Sequence, residues 1–334
     1  MMQLIECVPN FSEGRNVDII NQIAESIRSV ARVKLLHVDI GYDANRTVMT
    51  FAGEAQGVCE AAFRAIKKAS ELIDMQNHHG EHPRIGATDV CPLIPISGIS
   101  MDDVVKLSHQ LAARVSRELK IPVYCYEKSA LAPHKQNLAD CRKGEYEFLS
   151  QKLLQADWQA DFGSSCLNLR SGLSIIGARE ILIAYNATLN TEDVTIAKGI
   201  AQRIRSRGFF DKEKQKQVNG LAELKAIGWH MPEYHAAQVS MNLTNYQETG
   251  MHTVVEEINC QCPKGYSIVG TELIGLVPLK ALLDAGRYYA QLETKTDLRE
   301  SDLIALAVRE LSLDFHGEFN PQERIIEYAL GTIQ

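Results

Sequence analysis

The segment Asn77-His-His-Gly-Glu-His82-Pro-Arg-Ile-Gly-Ala-Thr-Asp89 concentrates more potential chemistry than any other stretch of this 334-residue chain. Three of its ten histidines, His78, His79 and His82, fall within five positions, beside Glu81, Arg84 and Asp89. An imidazole titrates near neutral pH and can take and return a proton. Gly80 and Pro83 oppose regular helix, so these groups are expected on a loop, where chemistry is commonly carried by a rigid scaffold. His78 and His82 stand four apart, a spacing that on a helix would present two imidazoles to one zinc. That helix is not expected, and His-Glu-x-x-His is absent, so no metal is expected. A polar surface turn explains the segment as well as proton transfer does, and composition does not choose between them.

Two further places hold candidate residues. Asp39 and Arg46 flank Ile40-Gly-Tyr-Asp-Ala-Asn45, at the end of one β-rich run and the start of the next. A turn whose Asp and Asn satisfy their own backbone accounts for them. As functional groups, Asp39 would orient a histidine or an amine, and Arg46 would grip a carboxylate with its planar fork. The second place is Gly163-Ser164-Ser165-Cys166-Leu167-Asn168-Leu169-Arg170-Ser171-Gly172, polar and bounded by glycines. It reads either as a plain linker or as a ligand loop offering backbone N–H groups and Arg170. Neither G-x-G-x-x-G nor G-x-x-x-x-G-K-[ST] occurs, so a nucleotide phosphate cradle has no support; G-x-S-x-G is missing too.

The elements that must position these groups show in the hydrophobic periods. Gln3 to Val8 reads as a strand, and Asn16 caps a helix with Ile20, Ile23, Ile27 and Val30 on one face. Val33 to Asp39 and Arg46 to Ala52 form a hairpin with a six-residue loop, and Ala55 to Ile73 is a helix. Thr88 to Ile96 is a strand interrupted by prolines, Ser100 starts a helix with Asp103 in capping-box position, and Pro122 to Tyr126 is another strand. The order recurs: strand Ile181 to Ala187, a helix capped by Asn190 or Thr191 and running to Gly208, a hairpin from Leu224 to His230 and Gln238 to Leu243, helix Met251 to Asn259, and strand Tyr266 to Val277. This β-α-β-β-α-β order predicts an α+β fold of two ferredoxin-like (split βαβ) subdomains, with mixed sheets and helices packed on them. The boundary is expected at residues 176/177, giving subdomains 1–176 and 177–334, with Leu279 to Leu292 and Ser301 to Leu311 as extra helices. Residues 211–217 read as a charged, solvated connector.

Composition is ordinary for a globular protein, with 45% hydrophobic and 23% charged residues and a net charge of -7. The acidic balance lacks the basic stripe of a nucleic-acid binder. No run of about 18 apolar residues is present, so no membrane span is expected, and the N-terminus does not read as a signal peptide. Eight cysteines without a C-x-x-C are expected as reduced, mostly buried thiols in a cytoplasmic protein.

Several longer matches carry a resemblance. Cys7-Val-Pro-Asn-Phe-Ser-Glu-Gly14, Asp39 with Asn45-Arg-Thr, His78 through Pro95, Gly177-Ala-Arg with Leu182-Ile-Ala-Tyr-Asn186, Leu276-Val-Pro-Leu-Lys-Ala-Leu-Leu-Asp284 and Glu323-Arg-Ile-Ile-Glu-Tyr328 resemble the glutamate formimidoyltransferase family. The resemblance spans nearly the whole chain. It implies transfer of a formimidoyl group between N-formimidoyl-L-glutamate and N5 of tetrahydrofolate in histidine degradation. It also implies a homodimer, folate in a groove between the subdomains, and tetrahydrofolate as co-substrate. The family's catalytic histidine falls on His82 and its folate-binding segment on Gly163 to Gly172. Bifunctional members continue into a cyclodeaminase module; this sequence stops before it, so a separate cyclodeaminase protein is expected to release ammonia. His82 is then expected as base and later acid around a tetrahedral intermediate, Asp39 as its orienting group, and Arg46 and Arg84 as carboxylate binders. Formyl transfer by the same site, a non-catalytic folate-binding protein and a metal-dependent hydrolase are the alternatives.

Overall fold

The computed structural model describes residues 3–211, 215–294 and 296–331. It divides the chain into two compact α+β units, with the division between Glu180 and Ile181. The first unit runs β1 (Leu4–Cys7), β2 (Asn10–Phe11), α1 (Val17–Arg28), β3 (Val33–Gly41), β4 (Arg46–Glu54), α2 (Ala55–Leu72), β5 (Thr88–Ser97), α3 (Met101–Leu119), β6 (Val123–Glu127), α4 (Leu138–Arg142), α5 (Glu145–Leu153) and β7 (Ser174–Ala178).

Local signals explain the helices. The Asn16 side chain accepts the N–H groups of Asp18 and Ile19 and starts α1, whose Ile20, Ile23 and Ile27 are buried. Each of these burials contributes about 1.5–3 kcal/mol. Ser100 accepts the Asp103 N–H at 3.2 Å, and its hydroxyl donates to the Asp103 carboxylate at 2.8 Å, which fixes the start of α3.

β1 and β2 share one position in the sheet, between β4 and β5, and both pair antiparallel with each. They are separated at Val8 and Pro9; Pro9 has no N–H to donate, although its carbonyl still accepts from Met49. β3 lies outside β4, so β4 separates β1 from β3 across α1, and β1 separates β4 from β5 across α2. β5, β7 and β6 continue the sheet in parallel. β7 is thus an interior strand, between β5 and β6. The expected boundary at 176/177 falls inside it, because its pairing continues through Ala178.

The β3–β4 loop has four residues, 42–45, instead of the six expected, because Ile40 and Gly41 pair with Thr47 and Arg46. Asn45 closes the turn in the left-handed region, at φ 46°.

Side-chain alternation gives the sheet two different faces. Cys7, Met49, Phe51, Cys91 and Leu93 join α1, α2 and α3 in the main core. On the opposite face, Val90, Tyr124, Tyr126 and Ile175 pack with Cys141 of α4 and with Leu149 and Leu153 of α5. The sequence reading did not anticipate α4 and α5.

The second unit comprises β8 (Ile183–Leu189), α6 (Val194–Ile204), β9 (Phe209–Asp211), β10 (Lys216–Val218), β11 (Leu224–Met231), β12 (Ala236–Leu243), α7 (Met251–Gln261), β13 (Ile268–Ile274), α8 (Leu279–Leu292), α9 (Glu300–Leu311), α10 (Pro321–Arg324) and α11 (Ile326–Leu330). Its main sheet has the order β11-β12-β8-β13, antiparallel throughout. Two expectations shift here. Asp193 caps α6 by accepting the Thr195 N–H at 2.9 Å, while Asn190 binds the backbone of Gly265 and Ser267. The helix ends at Ile204, because Arg205 is already extended. The charged connector contributes to paired strands β9 and β10; residues 212–214 lie outside the described residues. Among the described residues, no helix is long and apolar enough to cross a membrane.

Candidate functional site

Strand register gathers the first side chains. Asn10 stands opposite Val48 on one side and Val90 on the other, and Asp39 stands opposite Val48 from β3. Asp39, Val48, Asn10 and Val90 thus form a row across four strands, and Arg46, two residues before Val48, shares their face. The β2–β5 register then shifts, with Phe11 opposite Thr88. Asp89 is the extra residue of a β-bulge, a device that re-aims a side chain.

Arg46 is the hub of the cluster. Its Nε donates to Asn10 Oδ1 at 2.9 Å, and Nη2 donates to the same oxygen. Its Nη1 lies 2.7 Å from His82 Nδ1 and donates to Asp89 Oδ2 at 3.2 Å. Arg142, the last residue of α4, donates from Nη2 to that same Asp89 oxygen, and the other Asp89 oxygen accepts the Ile85 N–H at 3.1 Å. The Asp89 side chain is 1% exposed, against 12% for Arg46 and 13% for Arg142.

Two guanidiniums around one buried carboxylate set the charges. Burial opposes ionisation of Asp89, but Arg142 and Arg46 outweigh it and hold the carboxyl below its ordinary range. Burial, then the neighbouring Arg142, lowers Arg46 to about 9, so it remains cationic at neutral pH. His82 is held at about 3, by burial first and then by Arg46 and Arg142. It is therefore neutral at pH 7. The ring is half-buried, so water still reaches it. Its Nδ1 is also 2.8 Å from the Pro83 carbonyl, and among the described residues Nε2 has no hydrogen-bond partner.

The other expected residues have different surroundings. His78 is buried; its Nε2 lies 2.8 Å from the Asn45 carbonyl and its Nδ1 accepts Arg84 Nε at 3.1 Å. These partners define a neutral ring protonated on Nε2, and burial lowers its pKa further. With both nitrogens engaged, His78 does not form a zinc pair with His82. No group of three or more His, Cys, Asp or Glu among the described residues could hold a metal ion. Arg84, expected to meet a substrate carboxylate, already grips Glu147 through two N–H groups at 2.9 and 2.7 Å and reaches Glu145 at 3.1 Å. It is an internal clamp, binding the histidine-rich loop to the start of α5.

The segment 163–172 is an irregular loop, with Gly163, Ser164, Cys166, Leu169 and Arg170 exposed and Leu167 packed toward the α4–α5 core. Ser164 accepts the Cys166 N–H, Ser165 that of Ala160, and Asn168 that of Ser171. Arg170 donates to the Glu71 carbonyl. The far end of the segment is anchored beside the irregular stretch leading from His82 to Asp89, where Ala87 N–H donates to the Ser171 carbonyl at 2.9 Å and Leu173 N–H to that of Ile85 at 3.0 Å. Gly172 permits this approach; a Cβ there would lie 2.2 Å from the Ile85 oxygen.

Asn10 and Arg142 were not singled out as site residues. Asn10 lies in the motif Cys7 to Gly14, but its role depends on strand pairing. Arg142 is 53 positions from Asp89, in a five-residue helix with no periodicity to mark it. That helix is held from below by Lys152, whose ammonium donates to the carbonyls of Asp140, Cys141 and Lys143 at 2.8, 2.7 and 3.1 Å.

Comparison with known proteins adds an independent line. The family model for the formiminotransferase domain, N-terminal subdomain, matches residues 4–179, and that for the formiminotransferase domain matches residues 184–331. A formimidoyltransferase-cyclodeaminase from Rattus norvegicus is 45% identical over 332 residues, covering 99% of this chain and 60% of the relative. The chain thus spans about 60% of the length of such relatives. A glutamate formimidoyltransferase from Streptococcus pyogenes serotype M1 is 42% identical over 294 residues, covering 88% of this chain and 95% of the relative. One from Thermoplasma acidophilum is also 42% identical, covering 87% and 93%.

Proposed function

The chain belongs to the formiminotransferase domain family, and from that premise we propose that it is a glutamate formimidoyltransferase, moving the formimidoyl group between N-formimidoyl-L-glutamate and N5 of tetrahydrofolate. The observation that carries this reading is 42% identity with two proteins of that name over more than nine-tenths of their length. The Arg46–His82–Asp89 cluster supports it with suitable chemistry.

The amine N5 attacks the amidine carbon, a tetrahedral intermediate forms, and the glutamate nitrogen leaves with a proton. One proton leaves N5 and one arrives on the departing amine, a task for a single imidazole that is neutral at the start. His82 has that role here. Arg46 is cationic and meets a substrate carboxylate, Asp89 and Arg142 hold it in place, and Asp39, on the same sheet face, orients the reacting amine. The loop from Gly163 to Gly172, exposed at Gly163, Ser164, Cys166, Leu169 and Arg170, receives folate. Holding both amines in register supplies much of the acceleration. The reading includes a homodimer and a cyclodeaminase acting on the product, the second activity in the name of the animal relatives.

Purified protein mixed with tetrahydrofolate and N-formimidoyl-L-glutamate should form 5-formimidoyltetrahydrofolate and glutamate in equal amounts. His82→Gln should lower turnover by about 10²–10⁴-fold while tetrahydrofolate still binds. Product from N-formyl-L-glutamate alone would replace the donor. Folate binding without product from either donor would leave a binding protein.

A further inference from the structure

His82 Nδ1 has two neighbours that require opposite proton positions. A guanidinium can only donate, so the 2.7 Å contact with Arg46 Nη1 requires a lone pair on Nδ1 and places the ring proton on Nε2. The Pro83 carbonyl can only accept, so its 2.8 Å contact requires the proton on Nδ1 and leaves Nε2 with a lone pair. Only the second form is a base at Nε2, the nitrogen without a partner among the described residues.

We propose that Arg46 is a tautomer lock: it holds His82 in the Nε2–H form until a substrate carboxylate draws its Nη1 away, whereupon Nδ1–H turns to the Pro83 carbonyl and Nε2 becomes the base. This rests on the proposed proton role of His82 and gives Arg46 a positioning task within it. Nε and one Nη2 N–H are held by Asn10, so the guanidinium is anchored at one edge. The other Nη2 N–H has no partner among the described residues. With an Nη1 N–H, it offers the fork that a carboxylate takes bidentately. The other tether of Nη1 is Asp89 at 3.2 Å, the longest of the Arg46 contacts and to an oxygen that Arg142 also occupies, so the guanidinium can swing at Nη1 about its Asn10 edge. The charged groups acting on the ring are Arg46 from β4, Arg142 from α4 and Asp89 from β5. No net proton enters in the exchange: one proton leaves Nε2 to water and one reaches Nδ1 from water, which the half-buried ring permits. The device keeps the base off until the donor is seated.

Nitrogen NMR of protein labelled with ¹⁵N-histidine reads the tautomer directly, the His82 signals being those lost in His82→Gln. At neutral pH the free protein should show the Nε2–H form, and saturating L-glutamate should convert it to Nδ1–H. Arg46→Met should show Nδ1–H without ligand. Should that variant fail to fold, Asp89→Asn keeps an acceptor for Ile85 N–H, loosens Arg46, and should shift the signals part of the way. An Nδ1–H ring in the free protein overturns the lock. So does an Nε2–H ring that ignores L-glutamate. The readout needs no turnover: a tautomer switch without transfer leaves the lock and removes the transferase, and transfer with an unchanging Nε2–H ring does the reverse.

Discussion

The side-chain oxygen of Asn45 accepts the N–H of Gly14 at 2.9 Å, across 31 positions of sequence. The same side chain donates to the His79 carbonyl at 2.9 Å, so one amide joins the segment after β2, the β3–β4 turn and the histidine-rich loop. Arg46, His82 and the bulge at Asp89 inherit their spacing from this junction. Two glycines make it tight: a Cβ on Gly14 would lie 2.2 Å from the Gly41 oxygen, and one on Gly80 would lie 2.3 Å from the Ala44 oxygen.

Asn45→Ala removes both bonds and leaves the Gly14 N–H without its acceptor. Stability should fall by about 1–3 kcal/mol. Turnover should fall further than the folded fraction does, since His82 and Arg46 lose their common support. Urea unfolding beside kcat at a permissive temperature checks this; an unchanged kcat per folded molecule would refute it.

Arg84 tests the difference between a clamp and a substrate binder. Arg84→Met should cost about 2–3 kcal/mol, less than a fully buried pair, because Glu145 and Glu147 are open to water. Glu147→Gln should reproduce part of that loss. KM for N-formimidoyl-L-glutamate should move little in either variant. A tenfold rise in KM without loss of stability would return Arg84 to substrate binding.

Acid should act through His82 in a defined window. Its folded pKa, about 3, lies below the ordinary 6.5, so between these values the unfolded chain binds a proton that the folded chain does not. Stability should therefore fall as pH drops from 6.5 toward 3. Replacing His82 with Gln should remove up to one proton from that dependence, readable as a flatter plot of Tm against pH. Asp89, depressed in the fold, adds stability that is lost at lower pH still.

Thiol chemistry reports on the loop proposed to take folate. Cys166 and Cys260 are exposed, whereas Cys7, Cys91, Cys125 and Cys141 are buried. Burial pushes the Cys125 and Cys141 thiols up to about 12. A water-soluble thiol reagent should modify Cys166 and Cys260 first in the native protein. Tetrahydrofolate should protect Cys166 and leave Cys260 reactive. Equal rates at Cys166 with and without folate would count against the loop.

Lys152 supports the site from a distance. Lys152→Met strips three carbonyls near the end of α4 of their shared donor and should cost about 2 kcal/mol. Arg142 then loses its fixed approach to Asp89, so kcat should fall while KM for tetrahydrofolate holds. A change in folate KM alone would place Lys152 elsewhere in the chemistry.

Much of this was present in the one-dimensional pattern. The spacing of Ile20, Ile23 and Ile27, the caps at Asn16 and Ser100, and the β-α-β-β-α-β order specify the main elements, because helix and strand periods are local properties of the chain. The run of His78, His79 and His82 marked by composition alone the loop that brings His82 against Arg46. The chain could not declare in this way which polar groups meet. His78 and Arg84 looked like site chemistry, and Arg84 instead binds His78 and Glu147; Asn10, inside the motif Cys7 to Gly14, and Arg142 were not singled out and became part of the cluster. The residue that shares an oxygen with Arg46 comes from a short helix after β6, and Asp89 reaches it through a one-residue bulge. Register, bulge and helix placement depend on long-range packing. A side chain's charge is written in its type, but its partner, burial and proton position exist only when distant segments are folded against one another.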